Sequence, residues 1–148
     1  MNRIVVGLDG TPKDRPLVSW IADFSDEVGA RIIAAHFVPS ATVWMVAGAQ
    51  VDSAAYLEEL RDYFERDVVG PLRVRDPLLH VHIHIGDPAH ELAALARHSK
   101  ADLIALGARD HTVLHDVVFG NIERRLMHLS EIPVLTVPYR APALHVVH

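Results

Sequence analysis

An open, doubly wound α/β fold, with five parallel strands and helices on both faces of the sheet, is what this sequence predicts. Two patterns carry that expectation. Five short apolar runs recur along the chain, and the segments between them repeat apolar residues at helical spacing. Parallel strands joined in this way need right-handed helical crossovers, which cover the sheet on both sides. The length of 148 residues suits a single domain, spanning 1–148, with a continuous core.

The first run, Ile4-Val5-Val6-Gly7-Leu8, is closed by Asp9-Gly10-Thr11-Pro12 and reads as a buried strand entering a turn. Leu17, Ile21, Phe24 and Val28 follow on one helical face that stops at Gly29. Arg31 to Val38 is a second strand, ended by Pro39. Ser40 to Gln50 reads as a loop, although Val43-Trp44-Met45-Val46 is apolar; of a lid, a partner surface and core or dimer filling, the last is preferred, because large exposed apolar patches are uncommon. Asp52 is placed to cap a helix carrying Leu57, Leu60, Phe64 and Val68 and ending at Gly70-Pro71. Leu79 to Ile85 alternates with period two, a third strand with one face of His80, His82 and His84. Asp87 and Pro88 open a helix through Leu92 and Leu95 to about His98, because aspartate caps and proline fits the first helical position. Asp102 to Gly107 is the fourth strand, Ile122, Leu126 and Leu129 mark a further helix after a loop, and Ile132 to Val137 is the fifth strand.

Composition narrows the function. Hydrophobic residues make up 50% and charged residues 22%, the profile of a globule rather than a disordered chain. A formal charge of −5 offers no basic field for a nucleic acid, although eleven histidines would bring that charge up through zero in mild acid. With no cysteine, thiolate metal sites, iron–sulfur clusters and a cysteine nucleophile are excluded. No segment has the ~18 apolar residues of a membrane span, and the first residues do not form a signal peptide, so a cytoplasmic protein is expected.

Ligands of open parallel sheets bind beyond the carboxyl ends of the strands. Three places qualify: Asp9-Gly10-Thr11, the end of the second strand near Val38, and the segment from Gly107 to Asn121. Neither a G-x-G-x-x-G turn nor a phosphate-binding Walker loop is present, since neither Lys13 nor Lys100 lies in the required frame. Leu8-Asp9-Gly10-Thr11 resembles the start of haloacid-dehalogenase-type phosphatases, but Gly7 stands where their nucleophilic carboxylate is needed. A G-x-S-x-G elbow is also missing.

Four segments in register, Ile4 to Thr11, Gly86-Asp87-Pro88-Ala89, Ala101 to Gly107 and Ile132 to Val137, resemble the universal stress protein family from Arg3 to about Tyr139. The resemblance implies strand order 3-2-1-4-5, a homodimer paired through the fifth strand, and a regulatory role with at most weak ATP hydrolysis. It also implies a choice between two subgroups, one that binds ATP or another adenine nucleotide with Mg²⁺ and one that binds no nucleotide. The binding subgroup carries G-x-x-G, nine residues, then G-S or G-T. Here Gly107-Ala108-Arg109-Asp110 is followed by nine residues and Gly120-Asn121, so the spacing stands while two positions differ. The resemblance directs Asp9 to the ribose, the backbone at Val38 to the adenine edge, and Gly107, Gly120 and Asn121 to the phosphates, and Gly7 is counted among the cofactor-binding residues. Asp110 adds an anion there, and at ~4 Å with an effective dielectric of ~20 each like pair costs roughly 4 kcal/mol. Arg109 either neutralises Asp110 or holds a phosphate itself, whereas the Asn121 amide still donates. Read without the resemblance, Asp9-Gly10 is a strand-to-helix turn and Gly120 the start of a helix.

Metal binding is not expected. At ~3.3 Å per strand residue, His80 and His84 are ~13 Å apart and cannot share an ion, and His111 and His115 fall in an expected loop where their spacing carries no helical meaning. Nor do the motifs supply a catalytic acid, base and nucleophile. A nucleotide-responsive module and a ligand-free dimeric interaction protein are the two leading readings, ahead of a phosphatase-like enzyme.

Overall fold

The computed structural model describes residues 1–47, 52–108 and 122–139. Its elements are β1 (Arg3–Gly7), α1 (Asp14–Val28), β2 (Arg31–Val38), α2 (Ser40–Ala47), α3 (Ser53–Tyr63), α4 (Gly70–Arg75), β3 (His80–Ile85), α5 (Pro88–His98), β4 (Leu103–Gly107), α6 (Ile122–Leu129) and β5 (Val134–Val137). The five strands are all parallel in the order β3-β2-β1-β4-β5, the predicted topology. Register is tight in the centre, where Ile4 pairs with Ile32 on one side and Leu103 on the other.

Period-two alternation divides the central strands between two cores. Ile4 and Val6 face Leu17, Ile21, Phe64 and Leu72, while Val5 faces Ala89, Leu92, Ala96 and Leu126 on the opposite side. Continuous apolar runs are thus required, because both faces of β1 and β4 are removed from water. At ~25 cal/mol per Å² of apolar surface, each fully buried Ile or Leu stabilises the fold by roughly 1.5–3 kcal/mol.

Helix ends follow local chemistry. Gly29 closes α1 in the left-handed region (φ 67°), with Ala30 N–H donating to the Ser25 carbonyl at 2.9 Å. Asp52 caps α3 by accepting from Ala54 N–H, and Asp87 caps α5 by accepting from His90 N–H, with Pro88 in the first turn.

Two expectations are corrected. The segment after β2 is a helix, α2, rather than a loop; Val43-Trp44-Met45-Val46 is apolar in succession and shows no one-sided stripe by which periodicity would reveal it. Of core or dimer filling, the core half falls as well, because Trp44 is 65% and Met45 77% exposed in the single chain. The second correction concerns Gly70-Pro71. The helix expected to end there passes from α3 into a π-helical turn, Phe64–Val68, and Gly70-Pro71 instead starts α4, a position where proline's missing N–H costs nothing.

β3 and β5 are the edges of the sheet. On β3, the rings of His80, His82 and His84 follow one another at centroid separations of 6.0 and 6.2 Å. His82 is half-buried and its pKa is lowered first by burial, then by the charges of His84 and His80. No group of three metal-ligating side chains occurs among the described residues, and no helix there is long and apolar enough to cross a membrane. His111 and His115 lie outside the described residues.

Candidate functional site

β1 is followed by a turn whose backbone donors converge. Asp9 Oδ1 accepts from Thr11 N–H at 2.8 Å and from the Thr11 hydroxyl at 2.6 Å, holding the turn in an Asx geometry. Gly10 adopts φ 81°, a conformation that a side chain would strain. The N–H groups of Asp9 and Gly10 both donate to the Asp14 carboxylate, at 2.9 and 2.8 Å.

Asp14 is 3% exposed. Burial pushes its pKa up to about 7, helped by the charge of Asp9 and opposed by the two backbone donors. Desolvation therefore outweighs hydrogen bonding at this carboxyl.

From the neighbouring strand, His36 Nδ1 lies 2.8 Å from the Leu8 carbonyl oxygen, and the ring packs on Phe64 at 5.1 Å. A carbonyl only accepts, so Nδ1 carries the proton and Nε2 is the free acceptor of the neutral ring. Burial lowers the pKa of His36 and favours that neutral form.

These groups border a cavity of about 730 Å³ at the carboxyl ends of the strands. Gly7, Asp9, Val38 and Gly107, the described members of the predicted set, all line it. Arg109, Asp110, Gly120 and Asn121 lie outside the described residues. Gly7 is bare for a packing reason, since a Cβ there would sit 2.6 Å from Leu106 and 2.9 Å from Leu92. Gly107 has room for one at 3.7 Å from Leu17, so packing alone does not demand glycine there.

Sequence reasoning missed the other occupants of the cavity wall. Asp14 looked like an ordinary acid in the first turn of a helix, and His36 like one residue of a strand. Thr42 comes from α2, and its buried hydroxyl has no hydrogen-bond partner among the described residues. Arg125 of α6 reaches across to Asp87, donating from Nη1 and Nη2 to the two carboxylate oxygens at 2.7 and 2.6 Å. That guanidinium is the main reason the pKa of Asp87 is lowered. Asp87 was legible as a helix cap, but its ion-pair partner was not.

The arrangement suits a ligand with neutral hydrogen-bonding groups and an apolar plane. Asp9, the His36 ring and the Thr42 hydroxyl supply polar contacts, and Leu8, Leu17, Val38 and Leu92 supply apolar wall. Asp9, Asp14, Asp87 and Glu123 give that wall acidic character, offset by Lys13 and Arg125.

The model of the universal stress protein family matches residues 1–138. The stress response protein NhaX of Bacillus subtilis (strain 168) is 26% identical, over 92% of this chain and 97% of that protein. Among solved structures, a universal stress protein in complex with cAMP superimposes with a TM-score of 0.62 at 20% identity, covering 93% of this chain and 97% of the other. The universal stress protein from Archaeoglobus fulgidus in complex with dAMP also gives 0.62, at 17% identity over 92% and 97%. At such identities the structures carry the fold alone, whereas the family model spans nearly all of the sequence. With its strand order, its β1 turn and its cavity at the carboxyl ends of the strands, this chain belongs to the universal stress protein family.

Proposed function

We propose that this protein is a regulatory module of the stress response that binds an adenine nucleotide in the cavity at the carboxyl ends of β1, β2 and β4. The observation that carries the reading is the convergence of Gly7 and Asp9, Val38 and Gly107, from three separate strand ends, on one cavity of about 730 Å³. The buried Thr42 hydroxyl adds a polar atom that a ligand would satisfy. On this reading Asp9 receives the ribose hydroxyls, the backbone at Val38 meets the adenine edge, and Gly107, Arg109, Gly120 and Asn121 attend the phosphates.

Asp110 and Glu123 work against a triphosphate, so a smaller adenine nucleotide binds better than ATP, or ATP binds together with Mg²⁺. The protein is a binding module rather than an enzyme, its compartment is the cytoplasm, and β5, an open edge, pairs with its counterpart in a homodimer. Sedimentation equilibrium checks the last point. A dimer dissociating only on dilution is expected, and a monomer at all concentrations overturns it.

The main test is to denature freshly purified protein, identify any released nucleotide by chromatography, and titrate ATP into wild type and Asp110→Gly with and without Mg²⁺. At least tenfold tighter binding by the glycine variant, about 1.4 kcal/mol, is expected. The acidic wall formed by Asp9, Asp14, Asp87 and Glu123 favours one alternative, a ligand-free interaction module. Absence of binding by either variant would decide for it.

A further inference from the structure

The turn after β1 is an anion-binding nest filled from within. Two successive backbone N–H groups, those of Asp9 and Gly10, point to one spot, helped by the positive φ of Gly10. Such concavities take up anions, and here the Asp14 carboxylate occupies it at 2.9 and 2.8 Å. Asp14 lies on the cavity wall yet is 3% exposed, and it sits against Asp9, accepting that residue's N–H and feeling its charge. Two carboxyl groups therefore share one wall and one turn, Asp9 holding the two Thr11 donors and Asp14 the N–H groups of Asp9 and Gly10. In water two adjacent carboxylates are tolerated, whereas a ligand that fills the cavity removes the water that screens them.

We propose that the Asp9–Asp14 pair couples ligand binding to proton uptake, so that the occupied cavity holds one proton between the two carboxyl groups and the empty cavity exchanges it with solvent. The inference rests on the nucleotide reading above and deepens it, making Asp14 the residue that sets how affinity depends on pH. The other charged or titratable groups on the same wall are Lys13 beside the pair, His36 on β2, Tyr56 on α3, Asp87 at the start of α5, Glu123 and Arg125 on α6, and Tyr139 after β5. Of these, His36 has Nδ1 committed to the Leu8 carbonyl and is kept neutral by burial, and Arg125 is committed to Asp87. Asp14 titrates at about 7, so neutral solution lies in the middle of the exchange.

The proton comes from solution and goes to the Asp14 carboxylate, and no covalent bond changes. A ligand that carries negative charge should be held more tightly as pH falls through neutrality, because the wall it meets then carries one charge fewer. Isothermal titration calorimetry with cAMP tests this directly, since a phosphodiester does not itself titrate near neutral pH. Titrations at pH 7 in phosphate and in imidazole buffer differ in buffer ionisation heat and so count protons.

Wild type should take up about half a proton per cAMP bound, and its affinity should rise roughly five- to tenfold from pH 8 to pH 6. Asp14→Asn, which keeps the shape of the neutral acid and an acceptor for the turn, should bind with no proton uptake and a flat pH profile. Asp9→Asn provides the second reading should the first variant fail to fold. Removing the neighbouring charge lowers the pKa of Asp14, so uptake should shift to more acid pH.

Binding of cAMP by wild type with no proton uptake, or with uptake unchanged in Asp14→Asn, overturns this inference and leaves the nucleotide reading standing. No heat with cAMP, adenosine or ATP in either protein overturns both.

Discussion

Two aspartates stand at helix starts on the same cavity, Asp14 in the first turn of α1 and Asp87 at the cap of α5, and their acidities move in opposite directions. Each accepts hydrogen bonds from backbone N–H groups, two for Asp14 and one for Asp87. Counting backbone donors alone would make Asp14 the stronger acid. The opposite holds, because Asp14 is buried next to another carboxylate, whereas Asp87 is exposed and grips a guanidinium. A helix start favours an anion only while water or a cation remains within reach.

The largest expected effect tests the buried side of this comparison. The folded pKa of Asp14, about 7, lies above its unfolded value of 3.8, so its contribution to stability is complete below about 4 and is lost as pH rises through 7. Urea unfolding should therefore show stability falling from about pH 4 to about pH 7 and levelling off above, by an amount approaching the order of 4 kcal/mol. Asp14→Asn should flatten that slope. An unchanged slope would mean that the carboxyl is not the group responsible.

The exposed side should respond far less. Asp87→Ala removes both the α5 cap and the ion pair and should cost about 1–2 kcal/mol at pH 7. Arg125→Met removes only the pair and should cost below about 1 kcal/mol, the usual range for exposed ion pairs. Because the pKa of Asp87 is lowered, the stability the pair gives is present above the unfolded carboxylate range and is lost as pH falls through the folded value. The two variants should thus differ from wild type at neutral pH and converge on it in strong acid, the reverse of the Asp14 profile. Equal losses from Asp87→Ala and Arg125→Met would show that the cap contributes nothing.

The fold was legible because its signals are local. Strict alternation announced β3, the apolar runs announced β1, β2, β4 and β5, and the Gly29, Asp52 and Asp87-Pro88 boundaries stand where cap chemistry places them. α2 was not legible, since a segment apolar in succession has no period to read, and neither was the role of Gly70-Pro71, because the same dipeptide fits a helix end and a helix start. In the candidate site, Gly7, Asp9, Val38 and Gly107 could be found because parallel topology sends all strand ends to one side. His36 against Leu8 and Arg125 against Asp87 are contacts 28 and 38 residues apart. Such pairings depend on strand order and helix tilt, which no single segment encodes. Asp14 was hidden differently, for its position was plain but its burial beside Asp9 follows only from how the turn closes.

The exposed helix α2 carries an optical consequence. Of the protein's two tryptophans, Trp20 is half-buried and stacked on Phe24 at 5.2 Å, while Trp44 is 65% exposed, two residues beyond the Thr42 that borders the cavity. Indole emission follows the polarity around the ring, so the two residues emit at different wavelengths and differ in their access to a dissolved quencher. The quenchable, red-shifted part of the fluorescence belongs to α2, and the protein carries its own reporter on the helix beside the cavity.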